Sequence, residues 1–191
     1  MARPSVKEKR TEEILNAFEK CVARFGVEGS TLEKIAEEAG LRRSLLRHYV
    51  GNRDELIDAL IARYIERSDA DMQLLTTTLK GASAEKFIDY LFYEEGDLTA
   101  QVSQALMVAA AEHENIRQQL SLWNQKFHTQ LIHILLTMYP DVAKEDLHII
   151  STGIEGIYLN AVSFNVLDDM DNMKAASKIA ALRLLKTLEA K

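Results

Sequence analysis

The chain has 191 residues, 47% of them apolar, with 8 glycines, 2 prolines and 1 cysteine. That length holds one large domain or two small ones, and the apolar content excludes a disordered segment. A lone cysteine excludes an intrachain disulfide and fits a reducing cytoplasm, while a net charge of −6 means that any contact with nucleic-acid phosphate has to be local.

Glycine and proline are sparse and apolar residues recur at helical spacing throughout, so the expected fold class is all-α. No amino-terminal signal peptide is visible, because the first apolar face, on residues 14–25, is amphipathic and interleaved with charge. No apolar run approaches the ~20 residues of a membrane span. The most apolar segment, Ala105–Ala111, reads as a buried helix.

Helix 1 is expected over residues 5–25. Ser5 and Glu8 have capping-box spacing, and Ile14, Phe18, Cys21, Val22 and Phe25 form one apolar face. Gly26 and Gly29 end it. Ser30 with Glu33 has capping-box spacing again and opens helix 2, whose inner stripe is Leu32, Ile35, Ala36 and Ala39. Gly40 can take the left-handed conformation that ends a helix at little cost. Helix 3 follows at 42–48, with Leu41, Leu45, Leu46 and Tyr49 on one side and Arg42, Arg43, Ser44, Arg47 and His48 on the other. Two short helices about a tight glycine turn, the second rich in arginine, read as a helix-turn-helix whose second helix enters the DNA major groove.

Charge supports this reading. Residues 1–53 carry 11 Lys+Arg against 8 Asp+Glu, whereas the rest carries 12 against 21. From Ala39 to Arg53 there are four arginines and no acid. A basic patch on an acidic body is the footprint expected when one end of a protein meets phosphate. Gly51-Asn52 then breaks the chain, and Asn52 caps helix 4, with Asp54 and Glu55 in its first turn and Leu56, Ile57, Leu60, Ile61 and Tyr64 facing inward.

Residues 1–52 are therefore expected to form a three-helix DNA-binding domain, and 53–191 a larger helical domain. Further helices are expected near 84–95, 99–111, 114–138, 143–167 and 172–189, punctuated by Gly81, Gly96, Pro140-Asp141 and Asp168–Asn172. On the helix 143–167, Ile150, Ile154, Ile157, Tyr158 and Ala161 form one stripe, and Ile149, Gly153, Gly156, Asn160 and Ser163 a second of mainly small residues. The last helix adds Ala175, Ile179, Leu182, Leu185 and Leu188. These stripes fill either an intrachain core or a four-helix dimer seam. The expected dimer face is Ile149, Gly153, Gly156, Asn160, Ser163, Ile179, Leu182 and Leu185. A ligand pocket, if the middle helices hold one, draws on Phe87, Tyr90, Tyr93, Met107, Trp123, Phe127 and Phe164, because pockets are mostly apolar and aromatic. The same residues would equally serve as plain core.

Other chemistry has little anchor. Cys21 lies on an apolar face, where a thiol is inert. His113, His128, His133 and His148 lack an i, i+4 pair, so no metal or other cofactor is expected. There is no Gly-rich phosphate loop, nucleophile elbow or ligand-spaced cysteine cluster, so the chain does not read as an enzyme.

Across residues 10–65 the chain resembles the TetR family of transcriptional regulators. Ile35-Ala36, Ala39-Gly40, His48-Tyr49-Val50, Gly51-Asn52 and Arg53-Asp54-Glu55-Leu56 fill the places of the family's helix-turn-helix core, aromatic segment, small loop and helix 4 start. The remaining two-thirds resemble it in length and helical layout. The resemblance implies Arg42, Arg43, Ser44 and Arg47 as the groove-facing set. It implies Tyr49, assisted by His48, as a phosphate contact, Arg53 as a phosphate clamp at the start of helix 4, and Thr31 as a further phosphate contact. The family usually carries Tyr where Arg47 stands and often small polar residues where Arg42-Arg43 stand, so base preference does not carry over from relatives.

Members of that family are homodimers on palindromic operators. Most repress, and most release DNA when a small molecule enters the carboxy-terminal domain. The resemblance thus implies a cytoplasmic, ligand-responsive homodimeric repressor. Two alternatives stay open at this point. One is an effector-independent DNA-binding protein of the same fold that recruits a protein partner, and the other is a helical protein-interaction module.

Overall fold

The computed structural model describes residues 5–78, 82–92, 97–164 and 171–189. Among the described residues the chain forms helices and no strand, as expected: α1 (Val6–Gly29), α2 (Leu32–Glu38), α3 (Arg43–Val50), α4 (Arg53–Thr78), α5 (Ala84–Leu91), α6 (Asp97–Ala109), α7 (Glu114–Met138), α8 (Lys144–Ser163) and α9 (Asp171–Lys186). No described helix is long and apolar enough to cross a membrane. The helices group into two compact units. One holds Met1–Glu66 with Leu98–Ser121, the other Arg67–Asp97 with Leu122–Lys191.

In the first unit, α1 opens on the capping box expected: Glu8 N donates to Ser5 Oγ at 3.2 Å and Ser5 N to Glu8 Oε2 at 2.7 Å. Ile14, Phe18, Cys21 and Val22 are buried. Burying each of the larger apolar side chains is worth about 1.5–3 kcal/mol. Phe25 departs from the expected face. It is 42% exposed, and its ring lies under the Lys34 ammonium and the Arg24 guanidinium, at 4.1 and 5.1 Å from the centroid.

The α1–α2 corner differs from the sequence reading by one residue. Gly26 leaves helical geometry (φ 70°, ψ 175°), which frees its carbonyl to need a donor. Buried Ser30 supplies it, its Oγ donating to Gly26 O at 2.6 Å. Ser30 is therefore not the cap of α2. Thr31 is, its Oγ1 accepting from Lys34 N at 3.3 Å.

Gly40 takes φ 64° at the turn between α2 and α3, and Leu41 N closes the turn on Ala36 O at 2.8 Å. Ile35, Ala36 and Leu46 are buried at the centre of the helix-turn-helix. Asn52 caps α4 reciprocally: Glu55 N donates to Asn52 Oδ1 at 2.9 Å and Asn52 N to Glu55 Oε2 at 2.7 Å. Leu56, Ile57, Leu60, Ile61 and Tyr64 all point inward, as expected.

The later segment of this unit is fastened to the earlier one. Tyr64 Oη and Ser103 Oγ share a hydrogen bond of 3.0 Å. Asn115 and Gln119 both donate to Asp58 Oδ1, at 2.6 and 3.0 Å. Val102, Leu106, Ala109, Ile116 and Leu120 are buried.

The second unit is cored by Phe87, Ile88, Leu131, Leu135, Leu147, Ile154, Ala181 and Leu185. At Gly153 a Cβ would stand 2.7 Å from Leu184 Cδ2, so the Leu184 side chain of α9 packs closely on α8 at this position. His128 ties α7 to α8, with Nδ1 2.9 Å from Glu155 Oε1 and Nε2 2.7 Å from His148 Nδ1. Spacing along one helix could not reveal this cross-helix pair.

Candidate nucleic-acid interface

On α3, Leu46 is fully buried and anchors the helix, while Arg42, Arg43, Ser44, Arg47 and His48 are exposed. Successive residues turn by ~100°. With Leu46 inward, Ser44 and His48 therefore point most directly away from the core, and Arg47 stands beside them. Anchoring one buried leucine in a two-helix socket is what holds this face outward.

The helix breaks a local rule. Negative side chains stabilise a helix's first turn and positive ones oppose it. Yet α3 has no acid there and starts with Arg42 at the cap and Arg43 next. Such a conflict between local preference and sequence is expected where a partner is to be met. Arg43 offsets part of the cost by pairing with Glu33 of α2. The side chains of Arg42 and Arg47 make no hydrogen bond or ion pair among the described residues, so their guanidinium groups stand open to solvent.

The expected phosphate contacts divide. Thr31 is exposed but already caps α2. Tyr49 is half-buried, its ring edge-on to His48 with centroids 5.2 Å apart. Arg53 is turned inward: Nη1 donates to Ser30 O at 2.7 Å and Nη2 to Val27 O at 2.6 Å, with Glu28 at 3.6 Å. Its first task is thus to cap the carbonyls of the α1–α2 corner. The acceptors lie 23 and 26 residues away, which no helix-start pattern could indicate. Glu28 in turn meets His113 at 2.8 Å.

The apolar spacing predicts Leu45 on the inner side of this helix. It is 43% exposed instead. The position adjoins Leu46 in sequence but stands about 100° further round the helix, so with Leu46 inward Leu45 lies on its flank.

The expected pocket residues are divided between the two compact units. Phe87 is buried in the second unit's core, with Tyr90 and Phe127 packed against it. Trp123 lies tilted on Phe127 at 5.5 Å and donates its indole N–H to Ser68 Oγ at 3.0 Å. Phe164 caps α8. Met107 belongs to the first unit and is exposed. Tyr93 lies outside the described residues.

The expected dimer face also sorts itself. Ile149, Gly156, Asn160, Ser163 and Ile179 are exposed. Gly153 meets its own chain's Leu184. Leu182 packs on the core and Leu185 is fully buried in it, so Leu185 presents nothing to a partner. Leu159, 54% exposed on α8, was not anticipated.

No protein-family profile matches the chain. Over 50 residues it is 42% identical to the HTH-type transcriptional regulator PksA of Bacillus subtilis, a match covering 26% of this chain and 24% of that protein's length. Over 191 residues it is 23% identical to the HTH-type transcriptional regulator BetI of Burkholderia mallei, covering 94% of each. Among solved structures, a TetR transcription regulator from Haloarcula marismortui superposes with a TM-score of 0.75 at 18% identity, over 94% of this chain and 97% of that one. GusR of Salmonella enterica superposes with a TM-score of 0.72 at 13% identity, over 100% of both.

Proposed function

We propose that this chain, which has the fold of the TetR-family transcriptional regulators, acts in the cytoplasm as a homodimeric repressor on a palindromic operator and leaves the DNA when a small apolar or amphipathic effector binds. The observation that carries this reading is the outward face of α3, where Arg42 and Arg47 are exposed and unpaired among the described residues in a helix with no acid. Arginine can pair bidentately with guanine O6 and N7 or hold phosphate.

In this reading the exposed apolar Ile149, Leu159 and Ile179 are covered by a second copy of the chain. The dimer sets the two α3 helices one DNA turn apart, ~34–36 Å. An effector that favours a conformer with another spacing shifts the population off the operator. The aromatic group around Phe127 is where such a molecule would enter, and α4, which runs from the first unit into the second, would carry the change.

Fluorescence anisotropy on DNA from upstream of the chain's own gene, with scrambled DNA as control and a salt series, tests the reading. Selective binding at two chains per site, weakening steeply with salt, is the expected result. Equal weak binding to both DNAs at every salt concentration removes the operator claim. No binding at low salt removes the DNA-binding claim altogether.

A further inference from the structure

We propose that Leu45 is a sequence-reading residue, taking the 5-methyl group of a thymine in the major groove. The inference rests on the DNA-binding reading above and adds a base preference to it.

Leu45 is 43% exposed while its neighbour Leu46 is 0% exposed. It therefore keeps free apolar surface beside the fully buried Leu46. Its place is on the outward side of the helix: Leu45 adjoins Ser44, stands three residues after Arg42 and three before His48, and all four are exposed. Residues three and four apart are neighbours on a helix surface. An aliphatic side chain thus interrupts a face otherwise built of hydroxyl, imidazole and guanidinium groups.

The chemistry of that interruption is selective. A leucine makes no hydrogen bond, so it gains nothing from phosphate and cannot pair with the polar edges of guanine, cytosine or adenine. The thymine methyl is the apolar group that the major groove displays among the four standard bases. Placed next to Leu45, a polar base edge would lose water without gaining a partner. Placed next to it, a thymine methyl and the leucine would remove each other from water. Arg42, three residues before Leu45, can then read guanine beside a thymine read by Leu45, which predicts a half-site with both bases at fixed spacing.

The test begins by selecting tight sites for the full chain from a randomised duplex library. Each thymine of a selected half-site is then replaced singly by deoxyuridine, which removes only the methyl. Affinities are measured by anisotropy at one salt concentration. For the native chain, one thymine per half-site should lose about fourfold on losing its methyl, the weight of one buried carbon. For Leu45→Ala and Leu45→Gln, thymine and deoxyuridine should bind alike at that position, with an unchanged salt slope. The deoxyuridine series on the native chain needs no variant, so a folding defect in either one does not decide the matter. Selective binding with no methyl-sensitive thymine, or methyl sensitivity retained in both variants, overturns the role of Leu45 and leaves DNA reading intact. A library that yields no preferred site overturns the DNA reading and this inference with it.

Discussion

Among single residues, Arg47 and Arg53 make opposite predictions although both are arginines of one basic stretch. Arg47 is open to solvent. Its replacement by alanine should weaken operator binding by about 1–3 kcal/mol if it reads a base, with the oligomer unchanged by sedimentation. Intact affinity in Arg47→Ala would remove it from the reading face. Arg53 is engaged with the carbonyls of Val27 and Ser30. Arg53→Ala leaves two part-buried carbonyls without this partner, at about 1–3 kcal/mol, so the melting temperature should fall. A pure phosphate contact would instead lower the salt slope by about one with no change in melting. A third residue reports on alkaline stability. Burial, with the Glu189 and Glu85 carboxylates nearby, pushes the Tyr139 hydroxyl up to about 12 from an ordinary 10.0. The unfolded chain gives up this proton first, so the stabilisation is complete below pH 10 and is lost as pH rises through about 12. Urea midpoints across that window should fall for the native chain and fall less for Tyr139→Phe. The exposure of Arg42, Arg43 and Arg47 and the Asn52 cap were legible in the sequence because each depends on near neighbours along the chain. The inward turn of Arg53 and the exposure of Leu45 were not legible, because the acceptors of Arg53 lie 23 and 26 residues away and it is Leu46, not Leu45, that is buried.

Helices as elements were legible because period and punctuation agree: the stripe Leu56, Ile57, Leu60, Ile61 and Tyr64 is buried throughout, and Asn52 with Glu55 closes the start of α4. Asn52→Ala should cost about 0.5–2 kcal/mol, read as a lowered denaturant midpoint with an unchanged slope. Gly51→Ala should cost at least as much. Gly51 has φ 73°, and a Cβ there would collide with the Glu55 carboxylate that completes the cap. Equal stability of Gly51→Ala and the native chain would show that this corner rearranges freely. What periodicity could not resolve was the α1–α2 corner, where Ser30 and Thr31 are both competent caps. The choice fell to Thr31 because Gly26 O already holds the Ser30 hydroxyl. The small-residue stripe on α8 was legible as a site of close approach, but not its partner. At Gly153 that partner is Leu184 of the same chain.

For the whole molecule, the proposed dimer makes a direct prediction. Ile149→Asp and Ile179→Asp place charge on exposed apolar positions. They should leave the fold intact by circular dichroism, yield monomers by sedimentation, and lose operator affinity steeply, since each half-site is then bound alone. A monomeric variant with full affinity would contradict the dimer reading. A quite different consequence follows from the first compact unit, which draws on Met1–Glu66 and on Leu98–Ser121. A ribosome releases the first segment well before the second. At about 5–20 residues per second, the intervening stretch takes a few seconds to synthesise. During that interval Tyr64 lacks Ser103 and Asp58 lacks Asn115 and Gln119. The nascent helix-turn-helix segment therefore waits, incomplete, and its exposed apolar surface is open to chaperones until roughly two-thirds of the chain has been made.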